Sequence, residues 1–388
     1  MPIHARWIWN AQTWPKLVYD QQVLTGAVSR AHSEEGKLLG KADAVGVEDM
    51  SRVQSEIWSG EAVATAAIEG EKLDLASVRS SVARRLGIAP TFVAAVPRNV
   101  EGLLDVMEDA AANWNSELTE ERLFRWQAAL FPSGHSSLRI VETGRYRTHS
   151  EPMQIVGGPE GKQVVHYEAP PSNAVRPEMR NFLDWFNATK DSGTVDGILR
   201  AGLAHVWFES IHPFEDGNGR VGRAIIDMAL AQDAHIPYRL HGMSVELRQR
   251  QAGYYEALNQ AQRGTGDVTE WLAWFTETFA DSCHVSAKLI DDALIRARFW
   301  GQHKNVELNE RQRKALNKLL EAGPGKFEGG MTPRKYVALS RVTSLTASRD
   351  LAELVNKGLL VRAGAGRSTH YNLAIPGWAW SPKPHTET

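Results

Sequence analysis

His212, Asp216, Arg220 and Arg223 fall within a single twelve-residue run, HPFEDGNGRVGR (212–223). The run combines a base, a hard acidic oxygen ligand, a glycine-flanked amide and two cations. His212 can take a proton from an attacking hydroxyl. Asp216 can hold Mg2+ against phosphate oxygens. Gly217, Asn218 and Gly219 allow tight turns and open a predicted helix (about 219–233) whose free N–H groups and positive dipole end suit a phosphate. Arg220 and Arg223, three apart on that helix, project toward one anion. Each piece alone has an ordinary reading: DGNG is most often a turn, and an i, i+3 arginine pair is most often solvated. Together they ask for one ligand, a polyphosphate with Mg2+.

The surrounding chain reads mostly as helix, over 50–69, 72–86, 119–131, 176–188, 196–211, 219–233, 244–263, 267–300 and 308–323. The apolar residues recur at helical spacing, and Gly70 and Gly87 supply stops. Thr119 before Glu120 and Glu121 is a helix start. MQIVGG (153–158) and KQVVHYEAPP (162–171) are the one convincing strand pair before residue 330, a hairpin suited to holding an extended peptide.

HPFEDGNGRVGR matches the Fic-family pattern HPF-x-(Asp/Glu)-GNGR-x-x-R at every specified position, and the chain resembles that family over residues 100–285. Most Fic proteins transfer AMP from ATP to a Ser, Thr or Tyr hydroxyl of a target protein. The resemblance implies that His212 is the general base and that Asp216 holds the Mg2+. It places the α-phosphate on the amides of Gly217, Asn218 and Gly219, and the β- and γ-phosphates against Arg220 and Arg223. Val221 and Gly222 lie inside the same nucleotide-binding run. Phe214 is expected to anchor the loop. Tyr254 and Tyr255 resemble the pair that contacts the base, with Gln262 where relatives often carry Asn. Val165, His166, Tyr167 and Glu168 fall on the strand that lines the nucleotide and docks the target. TAAIEG (65–70) resembles the family's inhibitory motif, (Ser/Thr)-x-x-x-Glu-(Gly/Asn). Its Glu69 would pair bidentately with Arg223, with Thr65 and Gly70 shaping the segment. The resemblance also leaves open removal of AMP from targets, and implies a homodimer.

The expected architecture is mainly α: an N-terminal helical extension (1–99), a Fic core with a β-hairpin flap (100–300), a C-terminal winged helix-turn-helix (301–375) and a frayed tail (376–388). Composition divides along the same line. The 388 residues carry 44 basic and 46 acidic side chains, but residues 301–388 hold 14 Lys and Arg against 7 Asp and Glu. Within 331–373 the basic residues are Arg334, Lys335, Arg341, Arg349, Lys357, Arg362 and Arg367. DNA is therefore a candidate partner of this part, against a protein-interaction role for the same domain. The competing functions are a DNA-binding regulator with a sensory or inactive Fic core, and transfer of another nucleotide or phosphate group. One cysteine, Cys283, excludes an internal disulfide. No apolar run is long enough to span a membrane and no signal peptide is visible, so a cytoplasmic protein without membrane contact is expected.

Overall fold

A computed structural model of the chain describes residues 7–88, 96–136, 139–157, 164–237 and 239–380. The chain forms two compact units, residues 1–288 and 289–388. The described residues of the expected N-terminal extension belong to the first unit. Its helices are α1 (Gln21–Asp43), α2 (Val47–Ile68), α3 (Leu75–Arg85), α4 (Arg98–Ala112), α5 (Glu120–Leu130), α6 (Ser172–Ala188), α7 (Gly197–Ile211), α8 (Asn218–Ala234), α9 (Met243–Gln249) and α10 (Gln251–Gln262). α11 (Thr269–Gln302) contains the boundary between the units. Helices α1 and α4 escaped the sequence reading, and the helix expected over 244–263 is broken at Arg250 (φ −108°, ψ 29°) into α9 and α10.

The centre of the unit is α7. Every residue from Ile198 to Ile211 is buried, the signature of a helix enclosed on all sides. It packs chiefly on α8, and α6 and α10 also touch it. Helix α7 is started and stopped by local chemistry. Asp196 caps α7 by accepting from the N–H groups of Ile198 and Leu199, and a left-handed His212 (φ 50°) ends it. Thr119 caps α5 by accepting from Arg122 N–H.

Helix α2 is fastened from outside. Glu61, fully buried, accepts from Ser244 N–H and Val245 N–H at 2.9 Å each. Gly242, at the N-cap of α9, has no side chain to do this, so the α2 carboxylate satisfies the orphan donors of α9. The strands β1 (His135–Ser136) and β2 (Arg139–Ile140) form a short pair beyond the one expected. β3 (Gln154–Gly157) and β4 (Val164–Glu168) are antiparallel, with Ile155 opposite Tyr167 and Val156 opposite Val165. The connection expected between them, PEG (159–161), lies outside the described residues. Among the described residues no helix is long and apolar enough to cross a membrane.

The second unit contains α12 (Glu310–Ala322), α13 (Pro333–Ser340), α14 (Ser344–Asn356) and an antiparallel pair, β5 (Leu360–Ala363) and β6 (His370–Leu373). Met331 bridges to Tyr371 beside it. Its core gathers Leu316, Leu320, Tyr336, Leu351, Leu354 and Leu360, and takes in Phe299 from the end of α11. That packing is why the unit begins at Leu289 rather than at 301. Of the expected tail, residues 376–380 are anchored: Trp378 is buried in this core and Trp380 N–H donates to Asn372 Oδ1 at 3.2 Å; 381–388 lie outside the described residues.

Candidate active site

Gly70, with φ 77°, ends α2. Gly70 N–H returns to Ala67 O at 3.1 Å and Glu71 N–H to Ala66 O at 3.0 Å. This is the paired bonding of a Schellman stop, which needs a left-handed residue. The stop places Glu69 at the C-cap and Glu71 two residues on, both facing the start of α8.

There the two arginines are met separately. Arg223 Nε donates to Thr65 Oγ1 at 2.6 Å, and Arg223 Nη2 donates to Thr65 O at 3.1 Å and to Glu69 Oε1 at 2.6 Å. The bidentate Glu69 pair expected from sequence is therefore not formed, because Thr65 takes the Nε edge of the guanidinium. Arg220 Nη1 donates to Glu71 Oε2 at 3.1 Å, and its guanidinium lies over the Phe131 ring. Asn99 steadies Glu71 by donating to its Oε1 at 2.6 Å. Arg223 is fully buried; burial would lower its pKa, but Glu69, Tyr254 and Glu209 outweigh it and hold the cation protonated.

Glu69 also covers the loop. A Cβ built on Gly219 would fall 2.3 Å from Glu69 Oε1, so only glycine lets the carboxylate come this close to the first turn of α8. A carboxylate there sits at a positive dipole end, in the space an anionic ligand of Gly217, Asn218 and Gly219 would use.

The loop itself is braced from beneath. Phe214, with no exposed surface, packs against Tyr146, Phe124 and Phe208. The Asn218 side chain accepts from Phe214 N–H at 2.9 Å and donates to Phe214 O at 2.8 Å. Arg147, a residue the sequence reading missed, donates from Nε to His212 O at 2.8 Å and from Nη1 to Ser172 Oγ at 3.1 Å. It fixes the His212 backbone; burial lowers its pKa to about 10. The Asp216 carboxylate accepts from Gly217 N–H at 2.6 Å and stays one-third exposed. Among the described residues no cluster of three or more metal-ligating side chains occurs. Mg2+ characteristically takes one or two carboxylates and completes its shell with phosphates and water, so one accessible Asp216 fits it.

The remaining expected contacts divide by burial. Tyr254 is buried and its hydroxyl bonds His205 Nε2 at 2.8 Å. Tyr255, the next residue round α10, faces outward and donates to Ile68 O at 3.3 Å. Adjacent residues on a helix point about 100° apart, so the pair cannot share one surface. Tyr167 is likewise inward, donating to Ser210 O at 2.6 Å, and Val221 and Gln262 are buried. These four side chains are packed inward in this structure. An open cavity beside β4 and α10 is lined by His166, Tyr255, Glu256, Asn259, Gln260 and Arg263, so Asn259 faces it and Gln262 does not. Arg263 donates to the carbonyls of Val165 and His166 at 3.3 and 3.2 Å, and Trp9 Nε1 to that of Glu168 at 2.7 Å. The backbone of β4 is thereby held against α10.

Comparison with known proteins finds two matching segments. Residues 7–88 match a domain of unknown function, DUF4172, and residues 117–230 match the Fic/DOC family. Over 218 residues the chain is 26% identical to the protein adenylyltransferase Fic of Nematostella vectensis, covering 55% of this chain and 46% of that protein. Over 124 residues it is 34% identical to the protein adenylyltransferase fic-1 of Caenorhabditis elegans, covering 32% and 21%. The chain thus spans less than half the length of these curated relatives. Among solved structures, a Fic family protein from Desulfovibrio desulfuricans G20 has a TM-score of 0.50 at 21% identity, over 89% of this chain and 95% of that one. A Fic domain containing signaling protein from Bacteroides thetaiotaomicron has a TM-score of 0.51 at 16% identity, over 66% and 97%. These likenesses establish the fold.

Proposed function

We infer that this chain, which carries a Fic/DOC-family domain, is an autoinhibited protein adenylyltransferase that moves AMP from ATP to a hydroxyl of a target protein. The observation that carries the reading is the junction of α7 and α8. His212 ends one helix, and six residues later the other begins with free N–H groups and two arginines.

In this reading the target hydroxyl gives its proton to His212 as its oxygen attacks the α-phosphorus. The bond to the β-phosphate breaks and pyrophosphate leaves with the electron pair. The N–H groups around Gly217, Asn218 and Gly219 face the charge that grows on the α-phosphate oxygens. Arg220 and Arg223 hold the departing phosphates. Bound at Asp216, Mg2+ would neutralise phosphate charge. Extended target chain would dock on the β3–β4 hairpin by strand addition. The Glu69 carboxylate competes for Arg223 and for the Gly219 surface, which supports the inhibitory assignment.

The experiment is incubation of wild type, Glu69→Gly and His212→Ala with Mg2+, cell lysate and ATP labelled at the α- or the γ-position. Glu69→Gly should transfer α-label at least tenfold faster than wild type, and adding His212→Ala should abolish it. Transfer of γ-label instead would replace the reading with phosphoryl transfer, and no transfer from Glu69→Gly would sink it.

We read the second unit as a winged helix. Three helices precede its β5–β6 hairpin, and Arg341, Arg349 and Arg362 are exposed. Its basic balance favours a polyanion such as DNA. The homodimer implied by the resemblance is tested by light scattering.

A further inference from the structure

Glu209 lies on the last turn of α7, three residues before His212, and is only 6% exposed. Its Oε2 is 3.6 Å from His212 Nδ1, slightly beyond hydrogen-bond reach. Neither His212 Nδ1 nor Glu209 Oε1 has another hydrogen-bond partner among the described residues. Buried polar atoms left this way are costly and call for a reason. The site is built to hold the carboxylate: a Cβ on Gly222 would fall 2.5 Å from Glu209 Oε1, so glycine lets α8 close over it. Burial would push the Glu209 acid up, but His212, His205 and Arg223 outweigh burial and hold it below the usual range.

We propose that Glu209 is the positioning residue for His212. Its carboxylate takes the Nδ1–H, leaves the Nε2 lone pair free, and stabilises the imidazolium formed when the target's proton reaches Nε2. The proton passes from the hydroxyl oxygen to Nε2, the oxygen bonds the α-phosphorus, and pyrophosphate leaves; Glu209 itself stays ionised. Other charged or titratable groups around the pair include His205 on α7, Arg223 on α8, Tyr254 and Tyr255 on α10, Tyr167 on β4 and, beside His205, Glu69 at the end of α2. Arg147 meets His212 only at its carbonyl. The inference rests on the adenylyl-transfer reading.

The test uses the full chain in a Glu69→Gly background, comparing Glu209→Gln and Glu209→Asp. Single-turnover transfer from α-labelled ATP is followed against pH, with the KM for ATP and the imidazole 15N shifts of His212. Glu209→Gln should lower the rate about a hundredfold with KM changed less than about twofold. The acid limb of its pH profile should move to lower pH, because the imidazolium loses its anionic neighbour. Glu209→Asp should recover part of the rate. An unmoved acid limb with a rate within threefold of the parent would overturn the proposal. So would equal losses in all kinetic constants that follow a lowered melting temperature. If the Glu69→Gly parent transfers no label, the adenylyl-transfer reading fails; the 15N shifts still decide the positioning. Nδ1–H should dominate in the parent and be lost from Glu209→Gln, and the same tautomer in both overturns the role.

Discussion

Glu71 Oε2 lies 3.1 Å from Arg220 Nη1, two residues beyond the carboxylate that meets Arg223. One helix stop therefore engages both arginines at the start of α8. Glu69 sits on the arginine one turn into α8, and Glu71 on the one at its start. The Schellman bonding of Gly70 and Glu71 sets the spacing, so neither contact depends on the other side chain's rotamer.

Glu71→Ala should release part of the inhibition. The pair is partly exposed, with Glu71 33% open to solvent, and is worth about 1 kcal/mol. Transfer of α-label should rise about fivefold, less than for Glu69→Gly, and the double variant should exceed either. Equal activity of Glu69→Gly with and without Glu71→Ala would show that Arg220 is not restrained in the inhibited state.

Thr65→Val should also activate. It removes the acceptor of a buried, charged donor, Arg223 Nε, and such bonds are worth about 1.5–3 kcal/mol. The loss falls on the inhibited state alone, because Thr65 takes no part in the proposed chemistry. Labelling should rise roughly tenfold while the melting temperature drops. A drop in melting temperature with no gain in labelling would make Thr65 purely structural.

Stability should fall as pH rises through neutrality, and α1 is the reason. Burial first, then the Asp233 carboxylate, push the Glu35 acid up to about 7 from an ordinary 4.5, despite His32 nearby. The favourable difference is complete below about pH 4.5, where both states hold the proton. It is lost toward pH 7, where only the folded chain does. His32, raised because its bond to Asp196 outweighs burial, acts in the same direction. Glu35→Gln should match wild type near pH 5 in urea unfolding and exceed it by about 2 kcal/mol at pH 8. Parallel pH curves for the two would refute the assignment.

Unit two makes a separable prediction. DNA binding by the full chain, if carried by α14 and the turn that precedes it, should weaken steeply with salt. Arg341→Ala and Arg349→Ala should each lower the slope of log K against log salt by about 1, leaving α-label transfer unchanged. Retarded DNA with unaltered slopes in both variants would move the contact elsewhere, and no retardation at about 50 mM salt would leave a protein partner.

The chemistry was legible in the sequence where it is local. A base, an acidic ligand, three small turn residues and two arginines occupy one loop and one helix start, and backbone rules alone bring them together. The Gly70 stop, and with it the place of Glu69 at the end of α2, were legible for the same reason. What residues 65–71 do to the site was decided only by tertiary structure, because about 150 residues separate the arginines from the groups that hold them. Thr65 therefore takes the edge of Arg223 that a bidentate Glu69 would need, and Glu71 gains a role its sequence position did not announce. The tyrosine pair shows the same limit: composition marks both, but the packing of α10 turns Tyr254 to His205 and leaves Tyr255 to the cavity. Spacing along the chain determines which residues share a helix face. Which face is covered, and by what, depends on the helices packed against it.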